Sequence, residues 1–283
     1  MEDGYMLKAN AVTTFVVVTA FLMFAGASSA ADLHPIVEVQ NGYLFGSIAD
    51  GKWSNAGETA NLLTDQVTYR VYGLTQEFGE AKGGRPISAE GPCEETLIVS
   101  LSPKPENGVI AIAAPWNALP RKPKVIDPDQ KVYVGVVRDF LKTKGIEQTK
   151  VKIENIVRVD LDGDGEEEVL ISATNYFSKD GHVPMRSPAG GYSMVLLRRV
   201  VSGKVETRVI AGEFHSKDYP GKGPDHASFD APNAYKVIAT LDLDGDGKME
   251  IVIGSNYYEG EEITIYSCDP KKNQPLLSVA CGA

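Results

Sequence analysis

This sequence has few cysteines, no long apolar run beyond residue 30 and no excess of positive charge. The chain of 283 residues has only three cysteines, too few for a fold that is held together mainly by disulfides. Lysine and arginine number 28 against 38 aspartates and glutamates, which gives a net charge of −10. A general nucleic-acid-binding protein needs a basic surface, so the composition disfavours that class. Beyond residue 30 no apolar stretch approaches the roughly 20 residues that a membrane span requires.

Glycine and proline, by contrast, are plentiful, with 28 and 16 residues. The chain is 43% hydrophobic and 23% charged, values typical of a globular protein and not of a disordered, collagen-like or coiled-coil chain. Many turn-forming residues favour short strands joined by turns over long helices. We therefore expect a mainly β fold.

The first thirty residues are typical of an export signal. Ala11–Ala25 is apolar, and Ser28 and Ala30 fit the −3 and −1 positions of a signal-peptidase site. This apolar run is too short to span a bilayer comfortably. We predict that residues 1–30 are a signal peptide cleaved near Ala30. The mature protein would then be secreted or periplasmic, without an integral membrane span; an uncleaved N-terminal anchor is the alternative.

Export permits disulfides, but Cys93, Cys268 and Cys281 allow at most one bridge within the chain. If Ile263–Cys268 and Leu276–Cys281 form a hairpin, Cys268 lies near its turn and Cys281 at its far end, so the two do not face each other. A bond from Cys93 to one of them would join the N-terminal and C-terminal parts of the chain. Three unpaired thiols are the alternative.

The N-terminal region, residues 31–114, has the pattern of several strands separated by loops rich in Gly, Pro and Asn. The predicted strands are Tyr43–Ile48, Val67–Tyr72, Thr96–Leu101 and Val109–Ala113. Residues 115–128 contain four prolines, and we interpret them as a stiff linker. Its basic residues, Arg121, Lys122 and Lys124, are then solvated and do not form a nucleic-acid-binding patch.

Residues 129–144 are the one clear helix candidate, and they open the predicted C-terminal region, residues 129–283. Apolar residues recur there with the period of an α-helix, and Gly145 ends the pattern. We expect this stripe to pack on a sheet. Its members are Val132, Tyr133, Val136, Val137, Phe140 and Leu141.

A duplicated segment follows the helix. The sequence DLDGDGEEE begins at Asp160, and DLDGDGKME begins at Asp242. A strand-like run precedes each copy, and an aliphatic run, an Asn-Tyr pair and two more strand-like runs follow it. Each repeat therefore predicts a four-stranded antiparallel sheet. The N-terminal strands are candidates for a third, eroded unit, in which Ala49–Lys52 is a remnant of the acidic loop.

Each acidic loop has carboxylates at positions 1, 3, 5 and 9, and the backbone carbonyl at position 7 (Glu166 or Lys248) can supply a fifth oxygen ligand. Crowded carboxylates need a cation to compensate their repulsion, and an all-oxygen set on a flexible loop selects Ca²⁺. Zinc would need His or Cys, and Mg²⁺ demands stricter geometry. We predict two Ca²⁺ sites; the alternative is a solvated acidic turn without metal. The carboxylates are Asp160, Asp162, Asp164 and Glu168, and Asp242, Asp244, Asp246 and Glu250.

The pattern D-x-D-G-D-G-x-x-E followed by an aliphatic strand resembles the FG-GAP/VCBS repeat, the blade unit of integrin-α-type β-propellers. It differs from an EF-hand, because Ile171 and Ile253 occupy the position of the bidentate Glu. The resemblance covers roughly residues 150–177 and 234–260. It implies a propeller-like assembly of four-stranded antiparallel sheets, with two clear units, one possible eroded unit and Ca²⁺ in each loop. An open or reduced arrangement is the alternative to a closed ring.

Two pairs of residues are candidates for ligand binding, Asn175 with Tyr176 and Asn256 with Tyr257. Each pair ends the strand that follows an acidic loop, and aromatic rings beside amides suit sugar or peptide recognition. The alternative is that the tyrosine packs between sheets and the asparagine caps a turn.

The sequence contains no recognisable catalytic motif. Asp225 and His226 lie in the Gly- and Pro-rich segment 212–233 and could form an acid–base pair, although a surface loop is the simpler interpretation. We therefore predict an exported calcium-binding protein that acts as a non-catalytic binding or adhesion module, with a protein or glycan as its partner. The alternative is an exported hydrolase that acts on a glycan or a phosphoester.

Overall fold

The computed structural model describes residue 1 and residues 32–147, 150–217, 231–269, 271–272 and 274–282. All contacts discussed below lie within the unit Asp32–Ala283. The predicted signal peptide, apart from Met1, lies outside the described residues, and so do Asp225 and His226. Among the described residues no helix combines the length and apolarity that crossing a membrane would take.

Runs of β-branched and aromatic residues make the chain mainly β, as the composition predicts. The described residues form eighteen strands and two helices. In chain order these are β1 (His34–Glu38), β2 (Leu44–Ala49), β3 (Lys52–Asn55), α1 (Ala56–Ala60), β4 (Val67–Tyr72), β5 (Glu77–Gly83), β6 (Ile87–Ser88), β7 (Leu97–Ile98), β8 (Leu101–Ser102), β9 (Ile110–Ile112), β10 (Lys124–Ile126), α2 (Lys131–Thr143), β11 (Ile153–Val159), β12 (Glu168–Thr174), β13 (Gly191–Val201), β14 (Lys204–His215), β15 (Ala234–Leu241), β16 (Glu250–Tyr257), β17 (Gly260–Tyr266) and β18 (Pro275–Gly282).

The two repeats fold as antiparallel sheets whose strands follow each other in sequence order. The second repeat is a four-stranded sheet, β15-β16-β17-β18, as predicted. The first contains β11-β12-β13-β14, and β10 pairs with β11 as a fifth strand. Both acidic loops therefore connect the first two strands of a repeat, with Val159 paired to Glu168 and Leu241 paired to Glu250.

The N-terminal strands do not form a third four-stranded unit of this kind. They form a seven-stranded antiparallel sheet in the order β3-β2-β1-β9-β4-β5-β8, and β6 and β7 form a separate pair. The predicted strand Thr96–Leu101 is divided into β7 and β8, because the amide of Val99 donates to the carbonyl of Gly42 (2.8 Å) and the chain leaves its pairing with β6 there. The other three predicted strands correspond to β2, β4 and β9.

The segment 115–128 is not a solvated linker. Lys124–Ile126 is the edge strand β10, and the buried Ala118 accepts a hydrogen bond from the amide of Asp242 (2.8 Å). The indole nitrogen of Trp116 donates to the carbonyl of Asp242 (2.8 Å). The prolines stiffen this segment, and Trp116 and Ala118 bond to the second acidic loop, whereas Lys122 and Lys124 are exposed, as expected.

The predicted helix is confirmed as α2, and Gly145 follows it with a φ of +74°. Val137 and Leu141 are buried against β11, β12 and β13, so most of the apolar stripe packs on the sheet as expected; Val132 is exposed. Two further clusters of buried side chains join the sheets. One contains residues of β1, β2 and β9 together with residues of β15–β18, and the other contains residues of both repeats.

A disulfide joins Cys93 to Cys281, with their Cα atoms 5.5 Å apart, while Cys268 is free and buried. The hairpin of β17 and β18 pairs Glu261 with Cys281 and has its turn next to Cys268, which is why these two cysteines do not meet. The disulfide therefore ties the N-terminal region to the last strand, and the alternative of three unpaired thiols is wrong.

Candidate metal centres

The first acidic loop (residues 160–168) is organised by its leading aspartate. Its two glycines have φ values of +79° and +92°, which few other residues adopt. Their amides point inward as a result: Gly163 donates to Oδ1 of Asp160 (2.7 Å) and Gly165 to Oδ2 (3.1 Å). The loop closes when the amide of Leu161 donates to Oε2 of Glu168 (2.8 Å).

The second acidic loop (residues 242–250) repeats this arrangement contact by contact. Gly245 and Gly247 donate to the two carboxylate oxygens of Asp242 (2.8 and 3.2 Å), and Leu243 donates to Oε2 of Glu250 (2.9 Å). Leu243, like Leu161 in the first loop, is fully buried and anchors its loop to the core. The same sequence thus folds into the same turn twice.

Three carboxylates converge in each loop. One oxygen from each of Asp160, Asp162 and Glu168 lies within 4.8 Å of the others, and Asp242, Asp244 and Glu250 form an equivalent group. Predicted positions 1, 3 and 9 are therefore brought together in both copies. Such a group is unfavourable without a cation.

Positions 5 and 7 are placed differently. Asp164 and Asp246 are not among the converging carboxylates; their Oδ1 atoms accept hydrogen bonds from the amides of Glu166 (2.8 Å) and Lys248 (2.7 Å). Glu166 is not among the converging carboxylates either, and the side chain of Lys248 has no oxygen, which leaves their backbone carbonyls as the candidate ligands at position 7.

The donor set fits a hard divalent cation. Oδ1 of Asp162 is buried and has no hydrogen-bond partner, as expected of an atom whose partner is a metal ion. Cys268, whose Sγ lies 3.9 Å from the carbonyl of Leu161, is in neither group of converging ligands, so each group offers oxygen alone and not the sulfur or nitrogen that zinc prefers. Burial, followed by the charge of Glu250, raises the pKa of this thiol to about 12.

Electrostatics distinguish the two loops. Burial is the main cause of a raised pKa for Asp242, Asp244 and Glu250, and the charge of Asp244 raises the pKa of Glu250 further. In the first loop burial raises the pKa of Glu168. The charged carboxylates of the second loop are thus the more strongly disfavoured in the absence of metal.

Arg199 accounts for part of this difference. Its Nη2 lies 3.3 Å from Oδ2 of Asp162 and 3.9 Å from Oε1 of Glu168, and its side chain is only 11% exposed. Strand pairing sets Arg198 opposite Val169 and Tyr266 opposite Ile251, so Ser267 holds the position of Arg199 in the second repeat. The acidic-loop motif contains no signal for Arg199, because the residue comes from the adjacent strand.

Arg121 connects the two loops. Its guanidinium donates to the carbonyls of Asp160, Leu161 (3.1 Å) and Gly247 (2.7 Å). A direct backbone bond adds to this bridge, since the amide of Met249 donates to the carbonyl of Leu161 (2.8 Å). In the sequence, Arg121 lies in a basic cluster next to prolines. This local pattern does not predict its hydrogen bonds to the acidic loops.

The two predicted ligand-binding pairs differ in their surroundings. Tyr176 is buried, with its hydroxyl bonded to Ser187 (3.3 Å). Asn175 donates to Gly190 (2.9 Å) and accepts from Tyr192 (2.9 Å), so the first pair follows the packing and turn-capping interpretation.

In the second repeat Asn256 is exposed and lines a cavity. The ring of Tyr257 is half-buried against Gly260 and Gly282. Only the second pair is therefore placed where it could contact a ligand.

The chain matches no protein-family model, no curated protein and no solved structure. The functional assignment therefore rests on the two acidic loops and on the groups that surround them.

Proposed function

We propose that this protein is an exported calcium-binding module of the FG-GAP/VCBS type that binds a protein or a glycan without catalysing a reaction. The observation that carries the proposal is the duplicated loop, in which three carboxylates converge between the first two strands of a sheet in each repeat. A single group of this kind is compatible with a metal-free acidic turn, but two with the same hydrogen bonds point to a shared requirement for a cation.

Calcium suits these loops better than other ions. Asp160, Asp162 and Glu168 would hold one ion, and Asp242, Asp244 and Glu250 the other. All these ligands are oxygens on glycine-containing loops, which can adjust to the larger and less regular coordination shell of Ca²⁺. Carbonyl and carboxylate oxygens at positions 5 and 7 are available to complete that shell.

The ions would act structurally. Each would neutralise buried carboxylates at the turn between two strands. Arg121 joins the two loops, and Trp116 is bonded to the second. Both residues belong to the segment 115–128, so an ordered loop also fixes this connection between the N-terminal sheet and the repeats. Ion binding in the loops would thus stabilise contacts between sheets as well as within them.

A propeller-like arrangement is part of the proposal. Its support is that each repeat forms a sheet whose strands run in sequence order, which is the topology of a propeller blade, and that the two sheets share a hydrophobic core. The seven-stranded N-terminal sheet favours a reduced or open form of this architecture over a ring of equal blades.

The test is a thermal melt of the purified protein in EGTA and in excess CaCl₂, MgCl₂ or ZnCl₂. Free Ca²⁺ at 100 times its Kd adds about 2.7 kcal/mol for each site. For a chain of this size that corresponds to a rise in Tm of roughly 5–10 °C per site. Asp162→Asn combined with Asp244→Asn should abolish the rise, whereas Asp139→Asn, the same change on the exposed face of α2, should not.

An unchanged Tm in CaCl₂ would count against the proposal. A larger rise in Tm with another metal would identify that metal, and not calcium, as the ion that the loops bind. The alternative function is an exported hydrolase, with Asp225 and His226 as its candidate acid–base pair; both residues lie outside the described residues.

A further inference from the structure

A cavity of about 240 Å³ lies beside β1, β15, β16 and β17, and no residue of the acidic loops lines it. By the roughly 30 Å³ that a water molecule occupies in the liquid, it has room for about eight non-hydrogen atoms. Part of its wall is apolar and is formed by Val109, Phe177, Ile238 and Ile263. A ligand of this site therefore has an apolar body.

The polar part of the wall is acidic. Glu38 is only 4% exposed, and its carboxylate accepts hydrogen bonds from the amides of Gln40 (2.5 Å) and Asn41 (2.7 Å). The side-chain amide of Asn41 in turn donates to Oε1 of Glu261 (2.7 Å). Glu262 follows Glu261 directly in β17, so its side chain lies on the opposite face of the strand, where it accepts a hydrogen bond from Thr264 (3.2 Å). The carboxylates of Glu38 and Glu261 are thus fixed in position by the same short turn after β1.

These carboxylates are not neutralised by the protein. Within the described part of the chain, Glu38, Glu261 and Glu262 take part in no ion pair, and Lys236 is the only basic residue of the lining. The resulting field reaches neighbouring groups: after burial, the charge of Glu261 is the largest cause of the raised pKa of Tyr43. The cavity therefore attracts positive charge.

A metal ion is not the cation that this arrangement suits. Among the described residues, three carboxylates converge on one point only in the two acidic loops. Those of the cavity are spread around its wall, and an aromatic ring, that of Phe177, stands among the apolar residues. Separated acceptors, an apolar wall and an aromatic face together match an organic cation that carries several N–H donors.

We propose that this cavity binds a protonated primary alkylamine of the size of a lysine side chain. The ammonium group would bond to Glu261, beside Glu38, and the alkyl chain would lie against Ile238, Ile263 and Phe177. The exposed amide of Asn256, which also lines the cavity, is available to a polar group at the entrance. The same chemistry is offered by a free amine and by a lysine of a partner protein.

The test is isothermal titration of the whole protein in excess CaCl₂, so that the acidic loops are saturated and cannot bind the amine. The ligands are n-pentylamine, 1-pentanol and pentanoate, which share one alkyl chain and differ in charge. We expect pentylamine to bind at least tenfold more tightly than pentanol, a difference of about 1.4 kcal/mol or more, and pentanoate not to bind. Equal affinity for amine and alcohol would overturn the proposal.

Matched variants locate the site. Glu261→Gln should weaken pentylamine binding at least tenfold, whereas Glu259→Gln, an exposed residue in the turn before β17, should leave it unchanged. An equal loss in the Glu259 variant would place the amine on the general negative surface and refute the assignment. The rise in Tm with Ca²⁺ serves as the folding control, and Glu261→Ala replaces Glu261→Gln if that control fails.

A second arm distinguishes the sources of the amine. N-acetyl-lysine methylamide carries the lysine side chain without a free α-amino group. If it binds as tightly as pentylamine, the occupant is a lysine side chain of a partner protein. If pentylamine binds and this compound does not, the occupant is a free amine, because the entrance of the cavity then does not accommodate the peptide groups on either side of a lysine.

Discussion

The guanidinium of Arg199 lies 3.3 Å from Oδ2 of Asp162, at the position that Ser267 holds in the second repeat. The two acidic loops have the same backbone turn and the same three converging carboxylates, yet among the described residues only those of the first loop form an ion pair with an arginine. A positive charge at this distance opposes the binding of a cation by the same carboxylates. The two sites should therefore differ in affinity.

We expect calcium titration of the wild-type protein to resolve two classes of site, with the tighter one at Asp242, Asp244 and Glu250. Arg199→Gln should tighten the weaker site at least tenfold, because it removes a nearly buried opposing charge, and should leave the tighter site unchanged. Arg198→Gln, which changes the neighbouring residue bonded to Thr207, is the control. If Arg199→Gln weakens the first site instead, the arginine supports the loop and does not compete with the ion.

Arg121 offers a separate test of how the loops are coupled. Arg121→Ala removes three hydrogen bonds from a charged donor to carbonyls of both loops, and we expect it to lower the free energy of unfolding by about 1–3 kcal/mol. Lys122→Ala changes an exposed residue next to it and should cost far less. Urea unfolding in saturating Ca²⁺ measures both, and similar midpoints for the two variants would argue against the bridge.

These two arginines also mark the limit of what the sequence could predict. The carboxylates at positions 1, 3 and 9 follow from local spacing, because a glycine-containing turn of nine residues brings its own side chains together. The helix at 129–144 and the hairpin of β17 and β18 likewise follow from local periodicity and turn residues.

Arg199 and Arg121 reach the loops through strand register and chain packing, which no local pattern encodes. The same holds for β10, whose three residues pair with β11 although they follow a run of prolines. It holds as well for β9, which inserts between β1 and β4 after a long excursion of the chain. Local rules thus predicted each repeat, and non-local pairing determined what surrounds it.

Stability of the metal-free protein should depend on pH through the second loop. Burial raises the pKa of Asp242 from 3.8 and raises that of Glu250 well above 4.5. A raised folded-state pKa gives stability that is fully present below the unfolded-state value and is lost as pH rises through the folded-state value. In EGTA, the contribution of these groups to Tm should therefore decrease as pH rises above about 4.

Glu250→Gln isolates this effect, because it removes the buried charge and keeps the shape of the side chain. Compared with the wild type in EGTA, the variant should gain relative stability as pH rises from 4 to 7. At pH 7, excess Ca²⁺ should give the wild type a higher Tm than the variant, since only the wild type has the full set of ligands. Parallel Tm curves for the two proteins in EGTA would show that Glu250 does not titrate as its burial predicts.

The three cysteines give a prediction that needs only thiol counting. Cys93 and Cys281 are joined, and the free Cys268 is 2% exposed with a pKa raised by burial to about 12. A thiol reagent at pH 8 should therefore find no reactive thiol in the native protein, one in urea, and three in urea after reduction. Two or more thiols in unreduced urea would contradict the Cys93–Cys281 bond.

Protection of Cys268 should also report on the first acidic loop. Its Sγ lies 3.9 Å from the carbonyl of Leu161, the residue that anchors this loop in the core and bonds to Glu168. If a bound ion orders the loop, removing the ion loosens the packing over the thiol, and labelling in EGTA should be faster than in Ca²⁺. Asp162→Asn should label in Ca²⁺ at the faster rate, whereas Asp139→Asn should retain the slow one. Equal rates in EGTA and Ca²⁺ for the wild type would mean that the loop keeps its structure without an ion.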